Sequence, residues 1–380
     1  MKNEIHSIDS PHPDIENHWV RGPLRYVLTS PDQGADDETG LVMVIGGYGS
    51  HLSSEYDVVL RRYIASKYNC FAASVEYFGQ SVKFYDSLIP MPDFFVNLQK
   101  HYGVTVTANK SSDVDFVTRN VLKRLAEQGV TELHHDCRIL RKTNSYQSFG
   151  FLPAIDHLQV FHDITQRHHV NKSRVFILGT SYGGYIALLL GRYAPQTFAM
   201  IIDNSGYITP NIDLYGDSYT FCVDQGVRFV THETMVWSHN RSSPSYFGEH
   251  NWKIRCLLDP ILMTPSATRH YLYHYVDDQV EKAELKIRFH DLLCRFAPAE
   301  LTIVTDDGID GTLFKSRTHG MKASLRHLFD RSYAAYLASA APAHPPVTDF
   351  DMGSRYRFGC GSRCYQFSYS AEHGIRVDLL

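Results

Sequence analysis

Gly179-Thr180-Ser181-Tyr182-Gly183, followed by Gly184, is a G-x-S-x-G pattern. A serine hydroxyl is a weak nucleophile until a base takes its proton and a tight turn presents it. Glycines two residues either side suit such a turn, because larger side chains there would collide. The apolar run Val175–Leu178 leads straight in, and the apolar stretch Tyr185–Leu190 leads straight out. Strand, turn and helix in that order are the context of a nucleophile elbow. The chemistry would be acyl transfer through an acyl-enzyme on Ser181. The bland alternative is a glycine-rich turn with a bystander serine.

A nucleophilic serine needs a base and a group that orients the base. In a strand–turn–helix setting these follow as acid, then histidine, each after a later strand. The apolar segment Tyr271–Val276 ends in Asp277-Asp278-Gln279-Val280, and Leu301–Thr305 precedes a loop with Thr318-His319-Gly320-Met321. His319 is the expected base. For Asp277 or Asp278 alone, a helix cap would be the ordinary reading, and for His319 alone, a solvated loop. An oxyanion hole needs two backbone N–H groups. One is expected from Tyr182, the other from Gly47 or Tyr48 in the loop Gly46-Gly47-Tyr48-Gly49 that follows Leu41–Ile45. That loop lacks the Lys-Ser/Thr of a phosphate-binding loop and the spacing of a dinucleotide fingerprint.

Several elements must hold these groups in place. Buried-strand signals fall at 41–45, 70–77, 175–178, 198–203, 271–276 and 301–305. Helical spacing falls between them: after the capping Ser54, after Ser112, over 152–167, from Tyr182 to about Tyr193, and from Glu281 to about Leu293. Alternation of this kind predicts an α/β protein with a mostly parallel sheet and helices on both faces. About 50 residues from Tyr207 to Leu258 exceed a plain connection and read as a cap. The expected organisation is a core over 1–206 and 259–337, a cap over 207–258, and a small C-terminal β-ribbon over 347–380 after a linker at 338–346.

These features resemble the α/β-hydrolase superfamily over roughly residues 20–337, apart from the insertion. The stretch from Gly179 to Tyr185 is similar to the elbow of prolyl-oligopeptidase-type and acyl-esterase members. The resemblance implies the α/β-hydrolase fold, an eight-stranded, mostly parallel sheet and a Ser–Asp–His triad. Many such hydrolases end the acid strand in His-Gly-x-x-Asp-x-x-Val, and His274–Val280 is one residue shorter. Counting back from Val280 as the helix start selects Asp277; counting forward from His274 selects Asp278. Asp277 is preferred and Asp278 is the alternative. Phe149–Asp156 before the elbow, Asn251–Arg255 closing the cap, and Thr318–Met321 are similar to a bacterial family of such proteins associated with flagellar and surface-sugar loci.

Other residues invite a metal. Cys360 and Cys364 form a lone C-x3-C pair with no second pair to complete a zinc site. His134-His135-Asp136-Cys137 alternates faces if it is a strand, and a solvated loop is the simpler reading. No metal or organic cofactor is expected. The formal charge of −4 offers no concentrated positive field for nucleic acid. No run of about 18 apolar residues reads as a membrane span. Seven scattered cysteines and a polar N-terminus predict a reduced, cytoplasmic chain.

The expected activity is hydrolysis of an acyl ester by Ser181, His319 and Asp277, with Tyr182 and Gly47 or Tyr48 holding the oxyanion. A transferase that passes the same acyl group to a sugar hydroxyl is the alternative. A peptidase and a non-catalytic glycan-binding module rank below it. Cap residues such as Tyr207, Tyr215, Tyr219, Phe221, Trp237 and Phe247 either line the pocket or form the cap's own core. Interleaved with polar Asn204, Asn211, Asp213, Asp217, Asn240 and Arg241, they point to a short acyl group on a polar alcohol such as a sugar.

Overall fold

The computed structural model describes residues 3–48, 50–80, 98–105, 123–136, 145–210, 218–222, 228–232, 237–238, 240–339 and 344–380. The chain divides into two compact units. The first holds Met1–Gln80, Gln147–Pro210 and Glu249–Leu380; the second holds Ser81–Tyr146 and Asn211–Gly248. This corrects the expected core segment 1–206, because residues 81–146 leave it. It also narrows the later segment from 207–258 to 211–248. The even composition of the chain marks neither boundary.

The chain runs through β1 (Asn3–Ile8), β2 (Leu24–Thr29), β3 (Gly40–Ile45), α1 (Glu55–Tyr68) and β4 (Cys70–Glu76). β5 (Glu132–Asp136) belongs to the second unit. Then follow α2 (Phe151–Arg167), β6 (Val175–Thr180), α3 (Tyr182–Tyr193) and β7 (Met200–Asn204). β8 (Ser218–Cys222) and β9 (Arg228–His232) lie in the second unit. The first unit resumes with α4 (Glu249–Lys253), β10 (Arg269–Tyr275), α5 (Ala283–Leu293), β11 (Ala299–Val304) and α6 (Leu325–Ala338). It closes with α7 (Asp349–Met352), β12 (Arg355–Cys360), β13 (Arg363–Ser370) and β14 (Gly374–Leu379).

Eight strands pair in the order β1-β2-β4-β3-β6-β7-β10-β11. β1, β2 and β4 pair antiparallel, and every later pair is parallel. This is the α/β-hydrolase fold. β3, β6, β7 and β10 are buried along their whole length except Thr180, as strands covered on both faces must be. Val42, Val44, Phe176, Leu178, Met200, Ile202, Tyr271, Tyr273 and Tyr275 share one core with Leu60 and Ile64 of α1 and Leu328 and Phe329 of α6. The alternate residues face the other helices: Gly191 of α3 meets Ile201 and His270, and Lys286 of α5 meets Asp203. Ser54 caps α1 by accepting from Asp57 N–H at 3.1 Å.

The C-terminal strands form a separate antiparallel sheet, β12-β13-β14. Its inner face packs on α2 and α3, with Tyr365 on Phe151 (5.2 Å) and Phe367 on Tyr193 (4.7 Å). Arg363 stands opposite Cys360, and Gly359 opposite Cys364. Neighbouring residues alternate faces, so the two thiols point to opposite sides of the sheet. Both are free.

In the second unit β5 pairs with β9 in parallel and β8 pairs with β9 antiparallel. Trp237 meets Tyr146 at 5.7 Å and Phe247 at 5.1 Å, both edge to face. These aromatics pack among themselves, as a small core does. Among the described residues no helix is long and apolar enough to cross a membrane.

Candidate active site

β6 ends at Thr180 and α3 starts at Tyr182, leaving Ser181 alone in the turn. Its backbone has φ 53° and ψ −124°. A non-glycine residue held so costs on the order of 1–3 kcal/mol and persists only where its surroundings force it. Ser181 N–H donates to Asn204 C=O at 2.7 Å, and Tyr185 N–H donates to Ser181 C=O at 3.1 Å. The glycines permit the close approach. A Cβ on Gly179 would stand 2.3 Å from the Gly183 carbonyl oxygen, and one on Gly183 would stand 2.2 Å from that of Ile45.

Ser181 Oγ lies 2.8 Å from His319 Nε2. His319 Nδ1 lies 2.8 Å and 3.1 Å from the two carboxylate oxygens of Asp278. The carboxylate therefore fixes the tautomer: Nδ1–H donates to Asp278, and the bare Nε2 accepts from the serine hydroxyl. Burial raises the pKa of Asp278. The His319 hydrogen bond and charge, Val280 N–H and His274 outweigh that and hold it below the ordinary carboxylate value.

The geometry corrects the preference for Asp277. Asp277 is exposed, and its carbonyl accepts from Gln279 Nε2. Val280 is not the start of a helix, since α5 begins at Ala283. The residues between form a turn in which Val280 N–H (2.8 Å) and Glu281 N–H (3.3 Å) donate to Asp278 Oδ1. The count from His274 is the one that holds.

His319 opens a 3-10 turn after β11. Gly320, Met321 and Lys322 follow in left-handed conformations, φ 72°, 54° and 41°. Lys315 and Ser316 N–H both donate to Met321 C=O, and Met321 is fully buried, so the loop is pinned. Asn204 completes the frame. Its Nδ2 donates to Thr180 Oγ1 at 3.0 Å and to Gly320 C=O at 3.1 Å. Read in sequence as a polar cap residue, Asn204 is instead the last residue of β7, tying the Ser181 turn to the His319 loop.

Of the N–H groups expected to hold an oxyanion, that of Tyr182 belongs to the first residue of α3 and has no acceptor within the helix. A Cβ on Gly47 would stand 3.4 Å from Ser181 Cβ, so this loop borders Ser181. Gly47 C=O accepts from Ser50 N–H at 3.0 Å, which turns that carbonyl into the loop. The Tyr48 ring meets Tyr182 at 6.0 Å, and Gly49 lies outside the described residues. Tyr182 OH donates to Gln147 Oε1 and accepts from Gly150 N–H. The Tyr207 ring lies against the His319 imidazole, centroids 6.1 Å apart.

The sequence reading missed a buried polar group at the end of β7. Lys286 Nζ, fully buried, donates to Asp203 Oδ2 (2.5 Å) and Gly206 C=O (2.6 Å). Asp203-Asn204 at the end of an apolar strand was the available signal. Of the expected cap residues, Asn211, Asp213, Tyr215 and Asp217 lie outside the described residues, as do the side chains of Tyr219 and Phe221. Asn240 and Arg241 are exposed in the second unit. The side chains of His134, His135 and Asp136, and all of Cys137, also lie outside the described residues. Among the described residues no three His, Cys, Asp or Glu side chains gather as a metal site.

Among solved structures, the chain is similar to Est1E from Butyrivibrio proteoclasticus with bound ferulic acid. The identity is 12% and the TM-score 0.44, over 87% of this chain and 100% of that one. It is similar to the carboxylesterase Cest-2923 from Lactobacillus plantarum WCFS1 at 10% identity and a TM-score of 0.41, over 84% and 85% of the two chains. It is also similar to an acylaminoacyl peptidase of Pyrococcus horikoshii at 13% identity and a TM-score of 0.46, over 89% of this chain and 41% of that one. No curated protein matches it in sequence. Residues 4–377 match a family profile, and the chain belongs to the family described as "Protein of unknown function (DUF2920)".

Proposed function

We propose that this protein is a serine hydrolase that cleaves acyl esters through a covalent acyl-enzyme. The observation that carries the reading is the unbroken relay from Asp278 through His319 to Ser181, with contacts of 2.8 Å at each step and the serine in a strained turn. His319 Nε2 takes the hydroxyl proton as Ser181 Oγ bonds to the acyl carbon. The carbonyl π electrons move onto oxygen, where Tyr182 N–H and that of Gly47 or Tyr48 receive the charge. Asp278 stabilises the imidazolium. Collapse expels the alcohol, which takes the proton from His319. Water then repeats the sequence and releases the acid.

Tyrosines are the described rings around the relay: Tyr48 on Tyr182, and Tyr207 on His319. Phenol walls suit a short acyl group on a polar alcohol better than a long aliphatic chain. The test is labelling with a fluorophosphonate probe, which needs an activated serine and no knowledge of substrate. The wild type should label and Ser181→Ala should not. On p-nitrophenyl esters, efficiency should fall as the acyl chain grows from acetyl to octanoyl. Labelling that survives in Ser181→Ala refutes the nucleophile, and efficiency that rises with chain length refutes the short-acyl preference.

A further inference from the structure

β7 runs into a tight turn, Asn204-Ser205-Gly206, that lies against the elbow. Asn204 C=O accepts from Ser181 N–H at 2.7 Å, and its amide holds Thr180 and Gly320. The turn also meets the start of α3 backbone to backbone. A Cβ on Gly206 would stand 2.5 Å from the Tyr185 nitrogen, and one on Gly184 would stand 2.2 Å from Asp203 Oδ1 and 3.0 Å from Gly206 Cα. No side chain lies between the two to absorb a shift, so a movement of the turn is passed on to the elbow.

The middle of this turn is strained. Ser205 has φ 57°, a left-handed conformation that a residue with a Cβ avoids. Its N–H donates to Tyr273 C=O at 2.9 Å, but its own Oγ is buried without a partner, so its side chain does not hold it there. The bonds that close the turn come from its flanks. Gly206 N–H donates to Asp203 Oδ1 at 2.8 Å. Lys286 Nζ, reaching in from α5, donates to Asp203 Oδ2 at 2.5 Å and to Gly206 C=O at 2.6 Å. One ammonium group thus bridges the residues on either side of the strained pair Asn204-Ser205. The Lys286 and Asp203 side chains are both 0% exposed, so water competes for neither bond.

A buried ion pair adds little net stability, because desolvation offsets its attraction, but it does fix a geometry. We propose that Lys286 is a positioning residue for Ser181: by bridging Asp203 and Gly206 it keeps Ser205 left-handed, so that Asn204 presents its C=O to the Ser181 N–H and its amide to the His319 loop. The role rests on the serine-hydrolase reading. Without the bridge the turn relaxes, Ser181 N–H loses its acceptor, and Ser181 Oγ shifts relative to His319.

Wild type is compared with three variants. Lys286→Met keeps the stem and removes the ammonium. Asp203→Asn/Lys286→Met also removes the carboxylate that the single variant would strand, and so keeps the test open should Lys286→Met fail to fold. The third adds Ser205→Gly to that pair, since glycine takes a left-handed conformation without being held there. With p-nitrophenyl acetate, Lys286→Met and Asp203→Asn/Lys286→Met should each lose about tenfold in kcat with KM within about twofold, as slight misplacement of a reacting group does. Fluorophosphonate labelling should slow in step. Adding Ser205→Gly should restore most of the loss, which relief of a stranded charge could not do. A wild-type kcat in Asp203→Asn/Lys286→Met makes Lys286 a counter-charge only and overturns the proposal. So does a Ser205→Gly that restores nothing. In either case a wild type that labels leaves the serine-hydrolase reading standing. A wild type that does not label overturns that reading, and the role of Lys286 with it.

Discussion

At the scale of single residues, two adjacent carboxylates differ in everything that matters to a base. Asp278 is enclosed and accepts from His319 Nδ1 and two backbone N–H groups; Asp277 faces solvent. An amide at position 278 would offer Nδ1 a donor where it needs an acceptor, or stabilise the wrong tautomer. Asp278→Asn should therefore lower kcat on the order of 10⁴-fold, the size of loss seen at a triad acid elsewhere. Asp277→Asn should stay within about threefold, as exposed substitutions usually do. Steady-state kinetics on p-nitrophenyl acetate separate the two, and a reversed order would reject the geometric assignment.

At the scale of elements, the elbow works because β6 and α3 approach without side chains between them. A methyl group on Gly183 would meet backbone oxygens of Ile45 and Gly46 at 2.2 Å and 2.4 Å. Backbone cannot swing aside as a flexible side chain can, so α3 must move off β3. Gly183→Ala should destabilise the fold by about 1–3 kcal/mol, the usual range for overpacking. It should also slow fluorophosphonate labelling, because Ser181 rides on the shifted turn. Urea unfolding and labelling rates on the same preparation check both, and unchanged stability would mean that the close approach is not real.

At the scale of the whole chain, one carboxylate joins segments far apart in sequence within the first unit. Glu16 Oε1 accepts from Asn251 Nδ2 (2.9 Å), Arg255 Nη1 (2.9 Å) and Tyr365 OH (2.7 Å), and Oε2 pairs with Arg255 Nη2. The ion pair is fully enclosed, with side-chain exposures of 0% and 1%. Removing one partner of such a pair strands the other, at a cost of about 3–5 kcal/mol. Glu16→Ala should lower stability by that amount, loosening the C-terminal sheet from α2. Chemical denaturation measures it, and a loss within the scatter of surface substitutions would show the pair to be incidental.

The local order of this protein was readable from its residues. Val175–Leu178, the glycine-flanked Ser181 and the apolar Tyr185–Leu190 specify strand, turn and helix through contacts within about a dozen residues, and the structure has them there. Alternating apolar runs and helical spacing likewise predict a parallel sheet with both faces covered, and the α/β-hydrolase fold follows. Short-range sterics and hydrophobic periodicity act along the chain, so they leave their mark on it. The choice of Asp278 was not readable, because it depends on where a turn ends and a helix begins, a matter of one residue in a stretch that suits either. Asn204 and Lys286 escaped for a related reason. Each acts on groups that only folding brings near: Gly320 lies 116 positions from Asn204, and Asp203 lies 83 from Lys286. Nor did composition mark residues 81–146 as part of a second unit. A side chain's burial, and the partners that make its burial tolerable, belong to the packed molecule, and there alone the chemistry of these residues was decided.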